Sequence, residues 1–253
     1  MALAAERETG VLARQWTLPV PRAAFLSGRL CAEMVRVGVS TVVLYLVAAW
    51  PLHLYFLFSR NEARRQRLLF GVVSAWARCC LWLAGARVRV EGLEHMPPGG
   101  VMLMSNHQGN FDIMVLLGHC GRVFGFVAKA SVQYIPLLGG WMRRIRCVNI
   151  QRKERGQALR QLMAASAGTL QAGHALCIFP EGTRSRGGPV ADFKRGGFRA
   201  AVAAGVPILP IALEGSYNLY EAHRPWVRPA EVRMRILPPV STEGCDEKDL
   251  PEL

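Results

Sequence analysis

Asn106, His107, Asn110 and Asp112 lie within the otherwise apolar stretch VMLMSNHQGNFDIMVLLG, residues 101–118. A histidine takes up and releases protons near neutral pH. A carboxylate on one ring nitrogen fixes its tautomer and leaves the other nitrogen free to accept a proton. His107 and Asp112 are five residues apart, which on a straight helix separates them by about 140°. Only a turn with Gly109 and Asn110 at its bend can bring the carboxylate back to the imidazole. Without that bend the segment is simply the capped start of a helix. A second polar stretch, FPEGTRSRGG at 179–188, offers different chemistry. Gly182 lets the backbone approach a ligand closely, Thr183 supplies a hydroxyl, and Arg184 presents a planar fork suited to phosphate oxygens. Lys194 and Arg195 then precede two glycines that open a helix, a good setting for an anion. A base at one strand end and phosphate-holding groups at others describe a transferase acting on a phosphorylated alcohol. The plain alternative for Arg184 and Lys194 is a solvated basic loop.

These turns need elements to hold them. Apolar runs at 101–104, 123–127, 147–150, 175–179 and 206–213 read as buried strands. Residues 87–92 and 232–237 alternate like strands with one wet face. Between them, 154–172 places Leu159, Leu162, Met163, Ser166 and Leu170 on one helical face before Gly173 stops it. Strands alternating with helices predict an α/β fold, a mixed, largely parallel sheet flanked by helices. Both polar turns then follow strands, on the edge where such sheets bind ligands.

The first 86 residues read differently, as a membrane-associating segment before a domain at 87–253. Residues 38–58 carry no formal charge over about the length of a bilayer core. Tyr45, Trp50 and Tyr55 stand where interfacial rings often lie. Pro51 and His53 leave a kinked helix in the interface as the alternative to a spanning one. The run begins too far from the N-terminus for a signal peptide. Residues 67–86 form a second, amphipathic helix. Its least apolar positions, Arg67, Gly71, Ser74 and Arg78, make one stripe, with Trp76 and Trp82 as anchors at the headgroup boundary. A buried core helix is the other reading. Residues 1–37 show little pattern.

The net charge of +13, from 31 Lys and Arg against 18 Asp and Glu, suits a partner bearing phosphate. Arg60, Arg64, Arg65 and Arg67 follow the apolar run and place the rest of the chain on the cytoplasmic side, at the inner membrane in a bacterium. No basic and aromatic residues interleave as they do to stack bases, so no nucleic acid is expected. The seven cysteines include no CxxC pair and no metal-ligand spacing; no disulfide or metal is expected, and Cys147 and Cys177 read as small core residues.

Asn106-His107-x4-Asp112 and Phe179-Pro180-Glu181-Gly182-Thr183-Arg184-Ser185 resemble the first and third signatures of the glycerolipid acyltransferases. VAKASVQYIPLLGGW, with Lys129, is similar to the family's lysine-containing block, and VPILPIAL to its last proline-containing strand; order and spacing match from about 88 to 215. The resemblance is to enzymes that acylate 1-acylglycerol 3-phosphate. It implies acyl transfer from a thioester, of coenzyme A or acyl carrier protein, to the free hydroxyl of that lysophospholipid, forming phosphatidic acid. His107 would be the general base and Asp112 its partner. Arg184, with Arg152, Lys129 and Lys194, would hold the acceptor phosphate. Glu181, Gly182 and Thr183 belong to the same substrate-binding loop, with Glu181 ordering it. No bound cofactor is implied, and membrane lipids are the expected surroundings.

Two positions depart from the pattern. RCVNIQR at 146–152 keeps only Val148, Ile150 and Arg152 of the second signature, a block associated with the acceptor, so another lysophospholipid acceptor stays open. Gly109 stands where the family more often has serine. Ser105 and Cys120 are rival nucleophiles that nothing nearby activates. A non-catalytic, basic lipid-binding protein at the membrane surface is the alternative from another class. A hydrolase would need water where the acceptor sits and would have no use for a phosphate cluster.

Overall fold

A computed structural model describes residues 52, 54–56, 58–134, 138–150 and 155–245. The chain parts into two compact units, Met1–Glu62 and Ala63–Leu253, and the sheet lies in the second. The elements that matter are helix α1 (Glu62–Leu83), β1 (Ala86–Glu91), β2 (Val101–Ser105), α2 (Phe111–His119), β3 (Phe124–Lys129), α3 (Leu138–Arg144), β4 (Val148–Ile150), α4 (Arg155–Gln171), β5 (Ala175–Ile178), α5 (Gly196–Ala204), β6 (Ile208–Glu214) and β7 (Ala230–Ile236).

The seven strands form one sheet in the order β1-β7-β6-β2-β5-β3-β4. From β6 to β4 every pairing is parallel, whereas β7 runs antiparallel to β6 and parallel to β1. This is the mixed, largely parallel α/β sheet that the sequence predicts. The five apolar runs became the five parallel strands, and the two alternating runs became β1 and β7. In β7 the even positions Val232, Met234 and Ile236 are buried while their neighbours are exposed. β2 is buried at every residue because it lies mid-sheet. Met102 and Met104 face the cluster formed with Leu170 of α4 and Ala200, Ala201 and Ala204 of α5. Leu103, also fully buried, points to the opposite face by the period of two. The predicted helical face of α4 is realised at Ser166 and Leu170, both buried.

α1 begins and ends earlier than the 67–86 read from the stripe. Glu62 in its first turn favours the positive helix start. At its end the chain turns at Gly85, whose φ of 71° and close approach to Pro229 admit no side chain comfortably, and β1 starts at Ala86. Its stripe divides: Arg67 and Gly71 are exposed, while Ser74 is buried and the Arg78 side chain reaches inward. Ser74 Oγ and Arg78 Nε donate to the Gly118 carbonyl at 3.0 and 2.7 Å, satisfying an oxygen that the last turn of α2 leaves without an intrahelical partner. Gly118 lets the helices approach: a Cβ there would lie 3.3 to 3.7 Å from Arg78, Leu81 and Ala77. Trp76, Trp82 and Leu83 point outward, 51%, 76% and 72% exposed, an arrangement opposite to that of an ordinary surface helix. The apolar run at 38–58 falls outside the described residues except near its end. Among the described residues no helix is long and apolar enough to cross a membrane.

Candidate active site

β6, β2 and β5 are adjacent and parallel, so the turns leaving their carboxyl ends lie side by side. β2 runs into Asn106–Asn110, β5 into Phe179–Arg184, and β6 into Gly215–Ser216. Asn106 fixes the first turn. Its side-chain amide donates to the Leu213 carbonyl at 2.8 Å and accepts from the Leu213 amide at 2.7 Å, extending the β2–β6 ladder with a side chain in place of a peptide.

The bend at Gly109 and Asn110 does what the spacing requires. Asp112, in the first turn of α2 and fully buried, places Oδ2 2.7 Å from His107 Nδ1. The same oxygen accepts from the backbone amides of Gln108 and Gly109 at 2.6 and 2.9 Å. Oδ1 accepts from the Ser216 hydroxyl, whose oxygen also lies 3.2 Å from the Gln108 side chain. A buried carboxylate with this set of donors is held in one orientation, and an anion at a helix N-terminus is electrostatically favoured. With Nδ1 committed to Asp112, Nε2 is the ring atom that can exchange a proton. The imidazole stacks on Phe179, centroids 3.9 Å apart and planes 13° apart, and Phe126 of β3 stacks behind at 6.2 Å. Carboxylate and ring stack together leave the imidazole little freedom to turn.

The loop after β5 is tied to the same turn. Glu181 is buried; its Oε1 accepts from the His107 amide at 2.6 Å and its Oε2 from the Ala191 amide at 3.1 Å. The Ser185 amide donates to the His107 carbonyl at 2.8 Å. Gly182 adopts φ 67°, and a Cβ on it would lie 2.4 Å from the Lys194 amine, closer than any side chain allows. Arg184 Nη1 donates to Asn110 Oδ1 and lies 3.6 Å from Glu221 Oε1. Arg184 and Lys194 thus stand on the loop that flanks the His107 turn, and Thr183 is exposed there. Lys129 closes β3 on the same sheet edge, but its side chain is outside the described set, as is all of Arg152.

The family model for acyltransferases, described simply as Acyltransferase, matches residues 87–214. The chain belongs to the acyltransferase family. A mouse 1-acyl-sn-glycerol-3-phosphate acyltransferase alpha is 34% identical over 176 residues, covering 68% of this chain and 61% of the mouse protein. The chain therefore spans about three-fifths of that relative. A 1-acyl-sn-glycerol-3-phosphate acyltransferase of Pseudomonas aeruginosa is 33% identical over 187 residues, covering 72% of each chain. The crystal structure of the 1-acyl-sn-glycerophosphate (LPA) acyltransferase PlsC from Thermotoga maritima superposes with a TM-score of 0.72 at 28% identity, over 88% of this chain and 90% of that one.

Within this acyltransferase domain the rival nucleophiles are poorly placed. Cys120 follows α2 at the end remote from His107, is fully buried, and has its thiol pushed up to about 12 by desolvation. Ser105 is buried, its hydroxyl turned to the Asn106 carbonyl at 3.1 Å. Cys177 is core, as read from the sequence, and burial raises its thiol well above the ordinary range; Cys147 is half-buried, pushed up to about 11 by the same cause, and accepts from the Phe126 amide. Sequence reasoning missed Ser216, Phe179 as a ring support, and Glu221. Phe179 was in view as part of the third signature; Ser216 and Glu221 carry no local signal, since they meet the His107 turn only through the fold.

Proposed function

We propose that this chain transfers an acyl group from a thioester to the free hydroxyl of 1-acylglycerol 3-phosphate, yielding phosphatidic acid and a free thiol. The observation that carries the reading is the His107–Asp112 pair at 2.7 Å beside a loop bearing Arg184 and Lys194. The names of the relatives agree with it. An alcohol is a weak nucleophile, so His107 Nε2 takes the acceptor's proton as its oxygen attacks the thioester carbonyl. Asp112 stabilises the imidazolium, as in serine hydrolase triads, with the substrate hydroxyl in place of an enzyme serine. The C–S bond then breaks, and Nε2 returns the proton to the departing thiolate. Every atom is accounted for without an acyl-enzyme or a metal. Coenzyme A and acyl carrier protein both supply such a thioester. A second lysophospholipid acceptor remains in view because Asn149 stands in β4, in the altered second signature. A panel of lyso-acceptors with a labelled acyl thioester tests the reading: acceptor-dependent formation of diacyl product supports it, and its absence with every acceptor defeats it.

Arg184, in this reading, holds the acceptor phosphate. Arg184→Ala is expected to raise KM for lysophosphatidate by about 10- to 100-fold, the scale of a lost charge-assisted pair. Saturation by the acyl donor should change little. An equal loss against an acceptor without phosphate would make Arg184 a structural residue of the loop.

Chemistry on a lipid also needs apposition to a membrane. The outward Trp76, Trp82 and Leu83 supply an interfacial face on α1 itself. The full chain should resist extraction from vesicles by high salt. Deleting residues 1–60 should leave binding that depends on α1 and on Arg64, Arg65 and Arg67, and that salt weakens. Salt-resistant binding by the shortened chain, measured by flotation, would show that residues 1–60 add nothing to the anchor.

A further inference from the structure

The carboxylate of Glu221 belongs to no motif that marked the site, yet it reaches both polar turns. It starts the short turn Glu221–His223 after β6, and its side chain is 1% exposed. Oε1 accepts from the Asn110 amide at 2.8 Å, and it lies 3.6 Å from Arg184 Nη1 and 3.7 Å from Arg224 Nη2. Arg184 Nη1 is also bound to Asn110 Oδ1. One corner of the guanidinium is therefore committed to the His107 turn and to Glu221, while the rest of its planar fork stays available to a phosphate.

Gly109 makes this reach possible. A Cβ on it would lie 2.3 Å from Glu221 Oε2 and 2.7 Å from Cδ. Oε2 itself is buried and has no hydrogen-bond partner among the described residues. Burying an unpaired carboxylate oxygen is costly, so the placement of this group is not explained by stability alone. Arg224, stacked over Tyr220 at 5.1 Å, supplies a second cation beside the other oxygen, Oε1.

We propose that Glu221 is a positioning residue for Arg184, and that the glycine at 109 is matched to it. The proposal rests on Arg184 holding the acceptor phosphate. A long arginine otherwise loses side-chain freedom when it binds; one already fixed by a buried carboxylate and an asparagine loses less, and binds its anion more tightly. The opposite possibility is that Glu221 competes with the phosphate for Arg184. That would require a swing away from a carboxylate that is closed in and tied to the Asn110 amide.

The test compares Glu221→Gln, Gly109→Ala, Arg184→Ala and the double variant Glu221→Gln/Arg184→Ala in the full chain in mixed micelles. Glutamine keeps the shape and an acceptor for Asn110 but removes the charge; alanine at 109 keeps the charge but displaces it. Each single change at 221 or 109 is expected to raise KM for lysophosphatidate by about tenfold; Glu221→Gln should change kcat and the donor KM less than about twofold and leave turnover of an unphosphorylated monoacylglycerol as it is. Gly109→Ala, at a residue whose amide also serves Asp112, is expected to lower kcat with both acceptors as well, so its readout is the KM rise confined to lysophosphatidate. In the Arg184→Ala background, Glu221→Gln should add nothing further to KM, because it acts through the arginine. A lower KM on Glu221→Gln would make it a competitor, and a fall in kcat with both acceptors would make it merely structural; either overturns the proposal, as does an undiminished effect in the Arg184→Ala background. If Glu221→Gln fails to fold, the KM of Gly109→Ala decides: a rise for lysophosphatidate with none for monoacylglycerol supports the proposal, and an equal change for both overturns it. Should Arg184→Ala itself leave the lysophosphatidate KM unmoved, the phosphate reading falls and takes this one with it. If Arg184→Ala raises KM and the other two variants do not, this proposal alone falls.

Discussion

His107→Ala is expected to reduce acylation of lysophosphatidate by about 10²–10⁴-fold, the range over which a positioned general base contributes. The fold should survive. The imidazole lies at the surface of the turn with its side chain 17% exposed, and what holds the turn are the Asn106 pairing to Leu213 and the Glu181 bond to the His107 amide, neither of which uses the ring. The variant should therefore melt near the wild type and still float with vesicles. Asp112→Asn should lose most activity by another route. An asparagine amide in place of Oδ2 would face Nδ1 and two backbone amides that now donate to that oxygen, and either orientation removes an acceptor. This variant should lose stability as well as turnover, which separates it from His107→Ala. Turnover by His107→Ala near that of the wild type, with both variants assayed beside a thermal melt, would defeat the general-base mechanism.

What could be read from the chain follows from the range of the interactions. The strands were legible because a run such as VMLM must be buried on both faces, and VRMRIL must keep one face wet; the sheet order then follows from pairing rather than pattern. The His107–Asp112 contact was legible because it is closed within five residues by a glycine-containing bend. The rest of the site is built across large separations. Ser216 meets Asp112 from 104 residues away, and Glu221 meets Asn110 from 111, so no spacing rule could have found them. The stripe on α1 shows another limit. Periodicity finds that Ser74 and Arg78 share a face, but it does not say whether water or an orphan carbonyl lies opposite; the Gly118 oxygen, fixed by a different helix, decides it.

Glu181 separates two meanings of a residue in a substrate-binding loop. It is 2% exposed, and both its oxygens are used by backbone amides, His107 at 2.6 Å and Ala191 at 3.1 Å. The carboxylate thus joins the His107 turn to the arm of the Arg184 loop that returns toward Lys194. Glu181→Ala would strand two donors, each costing about 1–3 kcal/mol when buried and unpaired. For a chain of this size that corresponds to a melting point lower by about 5–15 °C. Turnover should fall with phosphorylated and unphosphorylated acceptors alike, because the displaced group is the His107 backbone. Glu181→Gln retains one acceptor oxygen. If that oxygen stays on the shorter bond, the amide group faces the Ala191 N–H, so stability should fall while His107 stays in place and kcat is largely kept. The pair of variants therefore has an expected order, alanine losing both properties and glutamine mainly stability. Normal melting in both, with a KM rise confined to the phosphorylated acceptor, would show instead that Glu181 acts on the substrate, and the link between the two turns would have to be carried by the Ser185 amide bond to the His107 carbonyl alone.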